Sequence, residues 1–183
     1  MMEGFRLASR TGCTMKSVRS ERGYFGIGCE GISKAMNLGA LMRTAHAFGA
    51  SFTFSVDAAP SIREAYNSDT SKSFEHVPYY PWGSIDDMIL PKGCLLVGIE
   101  LTDDAVDLPS FRHPPNAAYV LGREQGDLSP AMMDRCSWIV KIPTRFCINV
   151  SLAGALVMYD RAISMGGYPA RPIMPGGPID MSR

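Results

Sequence analysis

The stretch that decides the fold runs from Ala117 to Arg161 and reads AAYVLGREQGDLSPAMMDRCSWIVKIPTRFCINVSLAGALVMYDR. Its first part, Ala117–Leu121, is a short apolar run that predicts a buried strand. A loop rich in glycine and charge, Gly122–Leu128, follows it. Ser129 and Pro130 then form the pair typical of a helix start, with serine as the N-cap and proline at the first helical position. We therefore predict a strand, a loop and a short helix in this order.

The second half of the stretch predicts another strand and a longer helix. Ser137–Ile142 has a strand pattern that ends at Pro143, because proline lacks the N–H that a sheet ladder needs. The next helix is expected to begin at about Ile148. Its apolar residues recur at helical spacing: Leu152, Ala155, Leu156 and Tyr159. We expect the loops that leave the two strands to lie beside each other, where open α/β sheets bind their ligands.

Strand and helix patterns also alternate upstream of this stretch. Tyr24–Cys29, Ser51–Val56 and Cys94–Glu100 are predicted strands. Ser33 is the predicted N-cap of a helix that continues to Phe48, with Gly49 just past its end. The alternation predicts an α/β fold, with a mostly parallel sheet flanked by helices.

The segments between these elements are predicted to be mostly irregular. Residues 57–83 have the composition of a connector, with one helical turn at Ser61–Ala65, and 103–115 that of a loop. Ser84–Leu90 is predicted to be a short helix that Pro91 ends. We expect residues 1–23 to form a basic arm, 24–165 the folded domain, and the Gly/Pro-rich residues 166–183 an extended tail.

The composition is that of a globular protein: 46% of the 183 residues are hydrophobic and 20% are charged. The apolar runs are too short to span a membrane. The five cysteines are odd in number and never form a C-x-x-C pair, which favours a reducing compartment, so we predict a cytoplasmic protein. The net charge is zero, but residues 1–23 carry five basic and two acidic side chains, and residues 134–183 carry six and three. Two basic ends can form one surface for phosphate groups, although solvated termini explain the charge equally well.

The first motif with a chemical interpretation is Gly26-x-Gly28-x-x-Gly31, between a predicted strand and a predicted helix. Such glycines let a backbone approach the pyrophosphate of a dinucleotide, and Asp57, at the end of the next strand, would bind a ribose. This predicts an NAD(P)-dependent oxidoreductase as the alternative function. The other interpretation is structural, with the glycines in a strand and its exit turn, and it is favoured because the preceding VRSERGYF is too charged for a central strand.

Three further groups of residues combine polar chemistry with a strand end or a helix start. Arg43 lies in an otherwise apolar helix, where an arginine is costly unless it is solvated, paired or faces a ligand. Gly122 to Gly126 offers backbone amides and a carboxylate, Glu124. Asn149 and Ser151 lie at a predicted helix N-terminus, where unpaired N–H groups attract ligands. The three histidines have no metal-ligand spacing, so no metal site is predicted.

Together, and in this order, these groups resemble the three motifs of the SpoU (TrmH) family of RNA 2′-O-ribose methyltransferases, in the SPOUT superfamily. The first motif resembles Asn37-x-Gly39-Ala40-x-x-Arg43-Thr44-Ala45. The second resembles Tyr119-Val120-Leu121-Gly122-x-Glu124-x-Gly126-x-Leu128-Ser129. The third resembles Ile142-Pro143 followed by Asn149-Val150-Ser151. The chain departs from the family pattern at Lys34, Ala35 and Cys147, and the segment between Pro143 and Asn149 is short.

The resemblance implies a deep trefoil knot in the C-terminal part, S-adenosylmethionine as the cofactor, and a homodimer with the RNA site at its interface. It assigns Arg43 to deprotonation of the ribose 2′-hydroxyl and Asn37 to its support. Glu124 would organise the site, and Asn149 and Ser151 would lie beside the reacting groups. The residues implied to contact the cofactor, mainly through backbone, are Leu101, Leu121, Gly122, Gly126, Ile142 and Ile148.

The resemblance thus predicts methylation of RNA, with tRNA as the first substrate, because compact family members often act on it, and ribosomal RNA as the second. No metal and no membrane is expected. A non-catalytic RNA-binding module on the same fold is the remaining alternative. The presence of Asn37, Arg43, Glu124, Asn149 and Ser151 disfavours it.

Overall fold

The computed structural model describes residues 23–59, 63–64, 73–123 and 126–166. The strands of this part of the chain are β1 (Tyr24–Glu30), β2 (Phe52–Val56), β3 (Tyr79–Trp82), β4 (Leu95–Ile99), β5 (Val106–Asp107), β6 (Asn116–Leu121) and β7 (Trp138–Lys141). Its helices are α1 (Ala35–Ala47), α2 (Pro130–Arg135) and α3 (Val150–Met165), with 3-10 turns at Ser73–Glu75 and Leu108–Ser110. The predicted arm and tail lie outside the described residues except for Gly23 and Gly166, and the turn predicted at 61–65 lies mostly outside them.

All seven strands belong to one sheet in the order β3–β2–β1–β6–β4–β7–β5, and every pairing is parallel. The side chains of β6 alternate between the two faces, yet both sets are buried. Ala117, Tyr119 and Leu121 pack with α1 and α3, whereas Ala118 and Val120 pack with α2. Burial on both faces is typical of a central parallel strand and explains the apolar run in the sequence. The predicted parallel α/β fold is confirmed.

Two of the three glycines of the first motif lie inside a strand. Gly26 and Gly28 are in β1, and their missing side chains leave room for two rings of β2. A Cβ atom at Gly26 would lie 2.3 Å from the ring of Phe52, and one at Gly28 would lie 2.5 Å from that of Phe54. Backbone covered in this way cannot approach a pyrophosphate, so the dinucleotide-binding hypothesis is wrong and the structural interpretation holds.

Helices α1 and α3 pack side by side on one face of the sheet. Gly154 of α3 allows this close approach, because a Cβ atom there would lie 2.5 Å from Cδ1 of Leu41 on α1. α1 follows the carboxyl end of β1 and α3 that of β7, so both helices begin at the same edge of the sheet. The packing therefore brings two helix N-termini together at the carboxyl edge.

Two local predictions about helices were wrong. Ser84–Leu90 is not a helix but bends and a turn, and the carbonyls of Ile85 and Met88 accept hydrogen bonds from the Arg135 guanidinium. The N-cap of α1 is Lys34 rather than Ser33, and its side chain makes no capping hydrogen bond.

Two segments predicted as irregular contain edge strands. The 57–83 connector includes β3, whose Pro81 is tolerated because β3 pairs with a neighbour on one side only. The 103–115 loop includes β5, which is two residues long. The order of the central strands also differs from the expectation, since β4 lies between β6 and β7. The loops after β6 and β7 are therefore separated by the end of β4.

A buried polar network lies at the opposite, amino-terminal edge of the sheet. The guanidinium of Arg161 donates to the carbonyls of Pro114 and Pro115, both at 2.7 Å, and to the Tyr119 hydroxyl at 3.0 Å. His113 joins it, with Nδ1 2.6 Å from that hydroxyl and Nε2 2.9 Å from Asp160. Burial raises the pKa of Tyr119 to about 12 and lowers the pKa of His113. The network ties α3 to the start of β6.

Candidate functional site

A cavity of about 230 Å³ opens at the carboxyl edge of the sheet. Its walls are the loops that follow β4, β6 and β7, together with the first residues of α1 and α3. Apolar side chains supply part of the lining, and they are Ile99, Leu101, Leu121, Ile142 and Ile148. The cavity therefore lies where the sheet, the exit loops and the helix N-termini meet.

All six residues that the family resemblance assigns to the cofactor line this one cavity. Leu101 lies just after β4, Leu121 is the last residue of β6, and Gly122 and Gly126 lie in the loop that follows it. The remaining two, Ile142 and Ile148, bracket the segment between β7 and α3. Residues up to 47 positions apart in the chain thus share one wall, because parallel strands bring their carboxyl ends to one edge.

Three of the predicted catalytic residues form one hydrogen-bonded chain at the mouth of the cavity. The side-chain amide of Asn149 donates to Oδ1 of Asn37, at 3.2 Å, and so links the first turn of α1 to the start of α3. Asn149 is the N-cap of α3, and its Oδ1 accepts from the backbone N–H and the hydroxyl of Ser151, at 2.9 and 2.6 Å. Asn37 and Asn149 line the cavity, while Ser151 lies behind them.

The other two predicted catalytic residues stand apart from this chain. Arg43 is exposed, six residues or about 9 Å along α1 from Asn37, and lies outside the lining of the cavity. Glu124 is outside the described residues. The structure thus brings together Asn37, Asn149 and Ser151 and does not bring Arg43 to the same wall.

Charged side chains surround the mouth of the cavity in balanced numbers. Among the described lining residues, Lys34 and Arg123 are basic, and Glu100 and Asp127 are acidic. Arg123 packs across Gly31, whose φ of +60° turns the chain out of β1. Its guanidinium lies 3.7 Å from the carboxylate of Asp57. Both partners of this pair are largely solvated, so it contributes little to stability.

Sequence reasoning missed two acidic residues next to the cavity. Glu100 follows β4 and lines the cavity, and Glu30 ends β1 with only 2% of its surface exposed. Each carboxylate accepts a backbone hydrogen bond from the loop that follows β6. The available signal was their position, since a carboxylate at the end of an apolar strand points to the ligand-binding edge of a parallel sheet.

The lining suits a ligand with a flat apolar part and several hydrogen-bonding groups. Gly122 and Gly126 expose backbone, and a Cβ atom at Gly122 would lie 2.7 Å from Oε2 of Glu100. The isoleucine and leucine side chains can enclose an aromatic base, as is usual in small-molecule sites. With equal numbers of described acidic and basic side chains in the lining, a cationic ligand meets no net positive charge. S-adenosylmethionine, a sulfonium cation with an adenine ring, fits these residues.

Two features are absent from the described residues. No helix among them is long and apolar enough to cross a membrane. No three His, Cys, Asp or Glu side chains of the described part come together as potential metal ligands. The fold and the site define a parallel α/β protein whose candidate ligand site is a cavity at the carboxyl edge of its sheet.

The chain belongs to the SpoU rRNA Methylase family, whose model matches residues 25–159. It is 27% identical, over 142 residues, to a protein of Staphylococcus aureus named as a TrmH family tRNA/rRNA methyltransferase. It is 28% identical, over 141 residues, to the 23S rRNA (guanosine-2′-O-)-methyltransferase RlmB of Neisseria meningitidis. Each alignment covers 72% of this chain but 55% of the relative, so the chain spans about half the length of these proteins.

The fold is also that of a solved family member. The SpoU methyltransferase AviRb of Streptomyces viridochromogenes, in complex with AdoMet, superposes with a TM-score of 0.71 at 19% identity. The superposition covers 78% of this chain and 58% of AviRb. At this identity the likeness concerns the fold alone.

Proposed function

We propose that this protein is an S-adenosylmethionine-dependent methyltransferase that modifies a ribose 2′-hydroxyl in RNA. One observation supports the proposal above the others. The six residues assigned to the cofactor line one cavity, and the bridge from Asn149 to Asn37 lies at its mouth. Family membership supports RNA methylation, and the name of the Neisseria relative supports the 2′-oxygen as the acceptor.

The proposed chemistry is a direct transfer. When bound, S-adenosylmethionine supplies an electrophilic methyl carbon: the ribose O2′–C bond forms as the S–C bond breaks, the hydroxyl proton departs, and S-adenosylhomocysteine is left. The backbone of Gly122 and Gly126 and the apolar wall orient the adenosyl group. The linked amides of Asn37 and Asn149, with Ser151, offer donors and acceptors to the ribose. Holding the two reacting atoms in line is where the protein contributes most.

Proton removal is assigned to Arg43 together with the RNA. An arginine normally stays protonated, so it can only assist when the site and a neighbouring phosphate lower the cost of losing a proton. Asn37 is assigned to the support of Arg43, and Glu124 to organising the site. These roles come from the family motifs, and the exposed place of Arg43 requires that RNA or a second subunit covers it.

The proposed substrate is tRNA, with ribosomal RNA as the second candidate. The name of the Staphylococcus relative covers both classes. Recognition in this chain would use its basic ends, where residues 1–23 and 134–183 carry 11 basic and five acidic side chains between them. Such an excess supplies the phosphate contacts that dominate affinity for nucleic acid.

We further propose that the protein works as a homodimer that covers the outer face of α1 and α3. This face exposes large apolar side chains: Met36 (71% exposed), Leu152 (60%), Leu156 (43%) and Tyr159 (54%). The helix pattern in the sequence had marked three of them, and the structure turns them away from the core. Arg43 lies seven residues after Met36, on the same side of α1, so a partner on this face would enclose it. The C-terminal knot and a cytoplasmic location also remain part of the proposal.

The first test is a calorimetric titration of the purified protein with S-adenosylhomocysteine, with NAD as the control. We expect binding of the former alone, at one site per chain. Binding of NAD alone would contradict the assignment of the cavity. Binding of S-adenosylhomocysteine without methyl transfer to any tRNA or rRNA would favour the non-catalytic module.

The second test addresses Arg43. Arg43→Ala is expected to lower the rate of methyl transfer from tritiated S-adenosylmethionine about 100-fold or more, because assisted proton transfer contributes about that much. Its affinity for S-adenosylhomocysteine should be unchanged, since Arg43 lies outside the cavity. Arg112→Ala, an equally exposed arginine at the opposite edge of the sheet, is the control. Turnover in Arg43→Ala at the wild-type rate would remove Arg43 from its assigned role.

The third test addresses the dimer. Leu156→Glu should convert the protein to a monomer in light scattering, because a buried charge opposes association. Ile89→Glu changes a side chain that is 79% exposed on another surface, and it should leave the mass unchanged. A monomeric wild-type protein would refute this part of the proposal.

A further inference from the structure

Two carboxylates accept hydrogen bonds from the loop after β6, one on each side of it. The proposed chemistry does not use them. Glu30 lies at the end of β1 and Glu100 directly follows β4, and these are the two strands that flank β6 in the sheet. The loop leaves β6 between them. Two acidic side chains thus face the same segment from neighbouring strands.

The hydrogen bonds are specific and short. Oε2 of Glu100 accepts from the backbone N–H of Leu128 at 2.8 Å, and Oε2 of Glu30 accepts from that of Ser129, also at 2.8 Å. Oε1 of Glu100 accepts a third bond, from the N–H of Leu101 at 2.8 Å. Adjacent donors in one loop are therefore held by acceptors on two different strands, and Glu100 also joins the loops after β4 and β6.

The surroundings of Glu30 and Gly122 constrain the loop further. Glu30 is 2% exposed, and a carboxylate in such a place is costly unless charge-assisted hydrogen bonds satisfy it. Gly122 adds a steric constraint, since any Cβ atom there would collide with Oε2 of Glu100. Ser129 is in turn the N-cap of α2, with its hydroxyl accepting from the N–H of Met132 at 3.1 Å. The loop is consequently fixed at its glycine end and at its helix end.

We propose that Glu30 and Glu100 are positioning residues that hold the segment from Gly126 to Ser129 in its ligand-binding shape. Through it they set the position of the Gly122 and Gly126 backbone in the cavity wall. The inference rests on the proposed function, because the ligand whose affinity they tune is S-adenosylmethionine. Preorganisation of this kind lowers the ordering cost of binding.

The two glutamates respond differently to an isosteric change. Glu100 uses both oxygens, so Glu100→Gln must lose one acceptor and present an N–H₂ group to a backbone donor. Glu30 is seen to accept from the loop through Oε2 only, and Glu30→Gln can keep that bond with its remaining oxygen. A positioning role therefore predicts a larger effect at position 100, although position 30 is the more buried.

The experiment measures affinity and loop order in the same proteins. We expect Glu100→Gln to raise the Kd for S-adenosylhomocysteine about tenfold, which is the loss of affinity typical of one hydrogen bond to a charged group. Hydrogen exchange of the Leu128 amide should accelerate in parallel. Glu30→Gln should stay within about threefold of wild type, with the Ser129 amide still protected. Asp104→Asn removes the same charge from an exposed position in the loop after β4 and is the control.

The outcomes separate this inference from the proposed function. Unchanged affinity in Glu100→Gln, with or without faster exchange at Leu128, would overturn the positioning role. An effect of equal size in Asp104→Asn would show a general effect of charge and overturn it as well. If the wild-type protein does not bind S-adenosylhomocysteine, the methyltransferase proposal fails, whereas the exchange of Leu128 and Ser129 still decides whether the carboxylates hold the loop.

Discussion

The contact between Gly154 and Leu41 predicts that Gly154→Ala destabilises the wild-type protein but stabilises a Leu41→Ala variant. Gly154 lies in α3 at the crossing with α1, and a methyl group there would lie 2.5 Å from Cδ1 of Leu41. Normal carbon contacts are about 3.5–4 Å, so the methyl group overpacks a side chain that is 1% exposed. The other neighbours, Cδ1 of Ile27 at 3.5 Å and of Leu121 at 3.6 Å, are at ordinary distances.

The magnitudes follow from two opposing contributions. Overpacking a core costs about 2 kcal/mol, and replacing glycine by alanine inside a helix gains about 1 kcal/mol. Gly154→Ala should therefore destabilise the wild-type protein by about 1 kcal/mol. In a Leu41→Ala background the clash is gone, so the same substitution should stabilise by about 1 kcal/mol. The coupling energy between the two sites is then about 2 kcal/mol, within the range for residues in contact.

The assay is urea unfolding of the four proteins of this cycle, compared by midpoint at constant slope. A Leu96→Ala background is the control, because Leu96 packs on the opposite face of the sheet and should leave the effect of Gly154→Ala unchanged. A coupling below about 0.5 kcal/mol would refute the reasoning, since mutations at independent sites add within that margin. It would mean that α3 shifts freely against α1.

Three further predictions concern Tyr119, His113 and the cysteines. Tyr119→Phe removes the hydroxyl shared by two buried partners and should lower the free energy of unfolding by about 2–4 kcal/mol in urea, while Tyr80→Phe, half exposed, should stay within about 0.5 kcal/mol. Burial lowers the pKa of His113 from its usual 6.5, so the unfolded chain binds more protons than the folded one below that pH. The free energy of unfolding should therefore fall as the pH drops below about 6.5. In His113→Gln, urea unfolding at a series of pH values should show a smaller fall. Cys147 is exposed in the cavity lining, so it should react with iodoacetamide, and saturating S-adenosylhomocysteine should slow this reaction. Burial raises the pKa of Cys136 to about 12, so this thiol should stay unmodified near neutral pH. Mass spectrometry of the alkylated protein measures both.

Local patterns predicted the elements that carry a strong signal of their own. The apolar run of β6 and the Ser129-Pro130 helix start depend on neighbouring residues only, and both were found as predicted, with the Ser129 hydroxyl accepting from Met132. Gly49 has a φ of +74° just past α1, as its place in the sequence indicated. Such features are set by backbone sterics and nearby hydrogen bonds, so they can be inferred without knowing the fold.

Features that depend on distant partners escaped the same reasoning. Strand β3 is four residues long and includes Pro81. Its position at the edge of the sheet allows this, because an edge strand pairs on one side only. The helix predicted over 84–90 is absent, and two carbonyls of this segment instead accept hydrogen bonds from Arg135, 47 or more residues away. The place of β4 between β6 and β7 is likewise a non-local pairing. No periodicity within a short window contains that information.

The candidate site also combines features that local motifs predicted with features that depend on distant partners. The apolar wall and the glycine loop came from motifs, whereas the carboxylates of Glu30 and Glu100 acquire a role only when β1 and β4 flank β6. The family resemblance supplied an order of motifs but not the distance from Arg43 to the cavity. The separation of Arg43 from the cavity lining is a property of the assembled helix, and the role proposed for Arg43 relies on the RNA or a second chain.

The two edges of the sheet hold different polar groups, and this difference predicts that residues at the mouth of the cavity can be altered without unfolding the protein. At the amino-terminal edge, Arg161 is 5% exposed and its hydrogen bonds go to fixed carbonyls and to Tyr119. Groups satisfied in this way stabilise the fold but have nothing left to offer a ligand. At the carboxyl edge, the side chain of Asn149 is exposed. It donates to the side chain of Asn37 and accepts from the N–H of Ser151 at the start of α3. Such bonds can be exchanged for ligand contacts at little cost, so substitutions there should change affinity and turnover more than the free energy of unfolding.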